Sequence, residues 1–125
     1  MRTYRIAACL ILLLTGAACA TALAHARLLK SEPRHGATLR SPPRVVRAWF
    51  NEELDPATSA ISVWDGRGRR VDDGKGGVEL DNLDRNTMAA RLRPVGAGRY
   101  TVRWKAVSAD DGYVARGEFR FTVRP

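Results

Sequence analysis

The chain has 125 residues, a formal net charge of +8 and two cysteines. Both cysteines, Cys9 and Cys19, lie near the start, so the rest of the chain has no disulfide to brace it and no thiolate for a metal, which leaves nitrogen and oxygen donors. A basic balance suits nucleic acid or an anionic membrane surface, but the arginines are spread through the sequence. The one local run, Arg67, Arg69 and Arg70, stands in a glycine-containing turn without aromatic neighbours. It reads as a solvated loop, nucleic acid is excluded as a partner, and contact with an anionic membrane stays a secondary reading.

The first element in the chain is an export signal. Arg2 and Arg5 precede an apolar run from Ile6 to Leu14, and Ala22-Leu23-Ala24 supplies the small residues a signal peptidase requires. The expected organisation is a signal peptide over 1–24 and one domain over 25–125. Without Arg2 and Arg5 the domain keeps a net charge of +6. The apolar run is short for a bilayer span and the sequence holds no second one, so the product is expected to be soluble, in the periplasm or outside the cell. Gly16-Ala17-Ala18-Cys19 has the outline of a lipoprotein box, but Gly16 stands where a large aliphatic residue belongs, and lipidation at Cys19 is rejected.

Cleavage after Ala24 makes His25 the first residue. A terminal histidine offers a metal its α-amine, its imidazole and the next backbone amide from one short element. Nitrogen donors of this kind favour Cu(II) among the divalent first-row ions. The cleavage site can thus build a copper ligand.

Beyond it the dominant period is two. Val46, Ala48 and Phe50 alternate with Val45, Arg47 and Trp49; Tyr100, Val102, Trp104 and Ala106 alternate with Thr101, Arg103 and Lys105. The last segment sets Ala115, Gly117, Phe119, Phe121 and Val123 against Arg116, Glu118, Arg120, Thr122 and Arg124. Alternation of this kind turns one face of each strand to a core and the other to water. Shorter strands are expected at Leu28-Leu29, Ala60 to Trp64, Val78 to Leu80 and Thr87 to Leu92. Turn signals separate them, among them Pro33 to Gly36, Asp65-Gly66, Asp72 to Gly77, Pro94 to Gly98 and Asp110 to Gly112. Roughly seven short strands in about 100 residues argue for one all-β domain, an antiparallel β-sandwich or Greek-key barrel. Trp104, Tyr100, Phe119 and Phe121 fall on inward faces and read as core. Trp49 and Trp64 have no clear face, and one of them near a metal would report binding by fluorescence.

These residues carry a resemblance to a known family. His25-Ala26-Arg27-Leu28, Ser31-Glu32-Pro33, Gly36-Ala37-Thr38-Leu39 and Phe50-Asn51-Glu52 resemble the opening of the CopC family of periplasmic copper-binding proteins. The likeness runs on through Ser62-Val63-Trp64-Asp65 and Gly98 to Trp104, then Ser108-Ala109-Asp110-Asp111-Gly112 and Gly117 to Val123. It implies an Ig-like or cupredoxin-like β-sandwich that holds one Cu(II) with the mature N-terminal histidine and the aspartate and histidine of an Asp-Gly-His motif. His25 and Asp111 match the first two ligands. The third does not match, because the motif reads Asp111-Gly112-Tyr113.

A phenol in place of an imidazole is ordinarily protonated at neutral pH, and then a poor ligand. Three outcomes stay open. His25 and Asp111 bind copper unaided; Tyr113 ligates or hydrogen-bonds over the site; or copper binding has decayed and the fold persists. His35, the other histidine, reads as an exposed loop residue, and it supplies the missing imidazole only if its turn folds to the same end. Met88 is the one methionine after the leader, too few for a soft Cu(I) site.

The remaining chemistry is excluded in turn. The acidic residues Glu52, Glu53, Asp55, Asp72, Asp73, Asp81, Asp84 and Asp110 lie mostly in turns, where solvation explains them. No hydrolase constellation and no phosphate loop is recognisable, and a copper monooxygenase lacks its second histidine, so the chain is expected not to be an enzyme. The reading is an exported, monomeric Cu(II)-binding protein of copper homeostasis or resistance. It carries, sequesters or delivers the ion, with a CopD-like membrane transporter as the partner the resemblance implies. The alternative is a copper-free sandwich that has lost the metal and contacts a membrane partner.

Overall fold

The structure, a computed structural model, describes residues 25–125. The signal peptide over 1–24, with Cys9, Cys19 and the lipoprotein box, lies outside the described residues. Eight strands run in order: β1 Leu28–Glu32, β2 Ala37–Leu39, β3 Val45–Phe50, β4 Ala60–Asp65, β5 Gly77–Val78, β6 Thr87–Arg91, β7 Gly98–Val107 and β8 Val114–Val123. They form two four-stranded sheets, ordered β1-β3-β6-β5 and β2-β8-β7-β4. No helix occurs among the described residues.

The alternation read from the sequence is the alternation that packs. Val46, Ala48 and Phe50 of β3 are fully buried, and Phe119, Phe121 and Val123 of β8 meet them from the other sheet in one core cluster. Burying the valines and phenylalanines among them contributes about 1.5–3 kcal/mol each. Tyr100 stacks on Phe121 at 5.3 Å and Trp104 meets Phe50 edge-on at 5.0 Å. Gly117 makes room for that indole, since a Cβ there would overlap the Trp104 ring.

Several expectations need correction. The sandwich is not wholly antiparallel, because β2 pairs parallel with β8, Ala37 beside Phe121 and Leu39 beside Val123. Three residues after a turn are too few to show a period. The strand expected over Val78 to Leu80 stops at Val78, and Leu80 is exposed. Asp72 is not a solvated turn residue. It is buried, and it accepts hydrogen bonds from the amides of Val63 and Gly74 and from the Arg70 guanidinium. Trp49 and Trp64 lie outside the core, half-buried under Lys30 and Arg103 respectively.

The register places everything else at one of two poles. One pole gathers the start of β1, the ends of β3 and β7 and the starts of β4, β6 and β8: Leu28 pairs with Phe50, Trp49 with Thr87, and Val107 with Val114. The other gathers the end of β4, the start of β7 and the end of β8, where Asp65 pairs with Tyr100 and Gly98 with Val123. Strands of ten residues at about 3.4 Å each separate the poles by about 30 Å.

Candidate metal centre

At the first pole the segment before β1 is tied down twice. The Arg27 amide donates to Asn51 Oδ1 at 2.7 Å and the Asn51 amide donates back to the Arg27 carbonyl at 3.1 Å. Ala26 is buried in the core. His25 is therefore delivered to a fixed place by its two successors.

The turn between β7 and β8 is just as determined. The Ser108 amide donates to the Tyr113 carbonyl and the Gly112 amide to the Ser108 carbonyl, and Gly112 takes a φ of +71°. A side chain would strain that left-handed conformation, so the glycine of Asp111-Gly112-Tyr113 has a backbone reason to be there. Asp111 Oδ1 accepts the Tyr113 amide at 2.9 Å. That hydrogen bond holds the Asp111 carboxyl below the usual aspartate range, and a further one from Ser108 and the nearby His25 help it to outweigh the opposing effect of burial. It stays ionised, as a ligand must be.

His25 and Tyr113 meet face to face, ring centroids 3.6 Å apart and planes inclined by 24°. The structure thus brings all three expected site residues, His25, Asp111 and Tyr113, to one pole. His25 Nδ1 is shielded from solvent and has no hydrogen-bond partner. A buried nitrogen left unpaired costs stability unless something else binds it.

Sequence reasoning misses Glu52, which it sets among the solvated acidic residues. Its Oε1 is likewise buried without a partner. It lies between Asn51, bonded to Arg27, and Glu53, whose carbonyl accepts the Ala109 amide, so it sits between the His25 segment and the Asp111 turn. Its place two residues after Phe50, the last buried residue of β3, is the one available signal. His35 is elsewhere: its Nδ1 accepts the amide of Arg120 in β8, seven residues after Tyr113 and so about 24 Å away along the strand direction. It does not replace the missing imidazole.

Among the described residues no three His, Cys, Asp or Glu side chains already stand close enough to hold a metal ion. The donors that fit are one imidazole nitrogen, the backbone nitrogens of residues 25 and 26 and the carboxylates nearby, a nitrogen-and-oxygen set suited to Cu(II). Acidic side chains predominate in the loops around them. Loops 51–59, 79–86 and 108–113 carry eight of the thirteen acidic residues and one arginine, Arg85, against which stand Arg27 near His25 and the Arg47 that pairs with Glu79 at 2.8 Å; an excess of carboxylates favours cations there.

Comparison with known proteins bears on this pole. A family profile described as the CopC domain matches residues 28–124. The copper transport protein CutJ of Bacillus subtilis (strain 168) is 34% identical over 104 residues, which are 82% of this chain and 19% of that protein. The chain therefore spans about a fifth of the length of that curated relative. Among solved structures, CopC from Methylosinus trichosporium OB3b is 27% identical with a TM-score of 0.72, over 81% of this chain and 95% of that one. PcoC, a methionine-rich copper resistance protein from Escherichia coli, is 26% identical with a TM-score of 0.65, over 81% of this chain and all of that one.

Proposed function

The chain belongs to the CopC family, and from that premise we propose that it is an exported carrier of one Cu(II) ion, acting by binding rather than catalysis. The observation that carries the reading is the buried, unpartnered Nδ1 of His25, stacked on Tyr113 and beside an ionised Asp111. In the full chain the His25 nitrogen is bonded to Ala24. Scission there frees an α-amine, which adds a third kind of donor to the imidazole and the carboxylate. Asp111 then contributes charge and an oxygen, Glu52 a further carboxylate in the same loop cluster, and Tyr113 a flat wall that fixes the imidazole plane. Delivery to a membrane transporter of the CopD kind is the next step in this reading, and the acidic pole is the face that would present the ion.

Protons compete with copper for the α-amine, whose reference pKa is about 8. Retention is expected to weaken as pH falls from about 8 to 5, while Asp111, ionised throughout that range, contributes nothing to the slope. The test is a Cu(II) titration followed by EPR, with the mature terminus verified by mass spectrometry. A chain starting at His25 should show nitrogen hyperfine structure and one ion bound; one extra residue before His25 should weaken binding at least about 10–100-fold, because the α-amine becomes an amide and that nitrogen donor is lost. Equal affinity for both chains would discard the terminal chelate. Absence of stoichiometric binding in either would favour the copper-free docking module.

A further inference from the structure

The arginines that look scattered in the sequence are gathered by the fold. Stretches 40–44, 66–73 and 92–99 are far apart in the chain and hold seven arginines and two aspartates. The register brings all three to the pole opposite His25: the Leu92 amide donates to the Arg44 carbonyl, the Arg93 amide to the Val71 carbonyl, and Trp64 bridges to Arg70. Between 65–71 and 94–100 lies an open cavity of about 620 Å³ whose wall includes Arg67, Arg69, Arg70 and Arg99. Asp65 neutralises Arg69 at 3.0 Å and Asp72 neutralises Arg70 at 2.9 Å. Arg67 and Arg99 have no carboxylate partner among the described residues, and both are exposed.

We propose that this arginine pole docks the protein on an anionic lipid surface, with a phosphate headgroup entering the cavity between Arg67 and Arg99. Guanidinium pairs bind phosphate oxygens bidentately, and unpaired ones carry no prior ion pair that must be broken. The charge segregation sets the orientation. The poles are about 30 Å apart, several times the screening length of about 8 Å at physiological salt, so an anionic surface attracts the arginine pole and separately repels the acidic one. Leu80 and Leu83, exposed on the acidic pole, are flanked by Asp81 and Asp84, which opposes their insertion in such a surface. The docked molecule therefore holds His25 and Asp111 on the aqueous side, the orientation for copper uptake, and delivery to a membrane transporter requires that it leave this orientation. The docking does not depend on copper.

Vesicle co-sedimentation of the purified protein tests this. Binding is expected to vesicles of mixed phosphatidylcholine and phosphatidylglycerol, not to phosphatidylcholine alone, and to fall as salt rises. Arg67→Glu with Arg99→Glu should reduce it at least tenfold. Lys105→Glu with Arg116→Glu, an equal charge change on the sheet face between β7 and β8, should leave most of it. Neither pair takes a carboxylate from a partner, so thermal melting should be unchanged in both, and the comparison is made between variants that melt alike. Equal loss in both pairs would overturn the proposal in favour of a general charge effect, as would binding that ignores salt. Stoichiometric binding of inorganic phosphate by the free protein, with no co-sedimentation with phosphatidylglycerol vesicles, would overturn it in favour of a small-anion pocket.

Discussion

Asp72 and Asp111 are the same residue type put to opposite uses at the two ends of one sandwich. Asp72 is buried and saturated: two backbone amides and a guanidinium occupy its oxygens and tie the segment after β4 to the sheet. Asp111 is exposed, spends one oxygen on its own turn, and has beside it a histidine nitrogen with no partner at all. Asp72 uses up its hydrogen-bonding capacity in holding the fold. The site around Asp111 leaves capacity over, and unspent capacity next to an excess of carboxylates is what a cation can use.

The sharpest way to break the contrast is to remove the saturated carboxylate. Burial alone would raise the Asp72 pKa, but the Arg70 hydrogen bonds and the amides of Val63 and Gly74 outweigh it and hold the carboxyl below the ordinary aspartate range. Asp72→Ala strands those donors and should cost about 3 kcal/mol in a urea unfolding experiment. Because the native pKa is depressed, the stabilisation is complete above the unfolded value of about 3.9 and is lost as pH falls through the lower native one. Asp72→Asn removes that titration. It should be less stable than wild type at pH 7, the gap should narrow as pH falls below about 3.9, and copper affinity at pH 7 should be unchanged.

Asp111→Asn should invert that pattern. It keeps an oxygen for the Tyr113 amide, so stability should move by less than about 0.5 kcal/mol, as for other exposed sites. Copper affinity should fall about 10–100-fold, since a charged oxygen donor becomes neutral. A copper titration beside a thermal melt reads both. If Asp111→Asn destabilised the fold as much as Asp72→Ala, the division of labour between the poles would be wrong.

Much of this is legible in the residues before any fold is known. The strict period of two in β3, β7 and β8 gives their buried faces, since burial of one face is what selects that pattern. The three residues of β2 carry no period. Its pairing is parallel and to the last strand, a partner the local sequence does not name. His25 and Asp111 are legible because a cleavage site and an Asp-Gly turn are local signals. Glu52 is not, as its distinction from Glu53 lies in the burial of its Oε1, which the local sequence does not show. The arginine pole is invisible for the same reason: three distant stretches become one surface only through the register of β4, β6 and β7.

The smallest expected effect restores what the sequence lacks. The backbone of Tyr113 is fixed independently of its ring, by its amide on Asp111 and its carbonyl under the Ser108 amide, and the residue is 45% exposed. Tyr113→His should therefore leave the melting temperature nearly unchanged while setting a second imidazole against His25, where the phenol ring now lies at 3.6 Å. Copper affinity should rise about tenfold, the low end of what one supporting group contributes, and the EPR spectrum should gain coupling from another nitrogen. Tyr113→Phe separates the roles of the present ring. Unchanged affinity means that Tyr113 acts as a wall, and a fall of about tenfold means that its oxygen reaches the ion. Should Tyr113→His raise neither affinity nor nitrogen coupling, copper does not sit between residues 25 and 113, and the metal pole has been drawn around the wrong pair of rings.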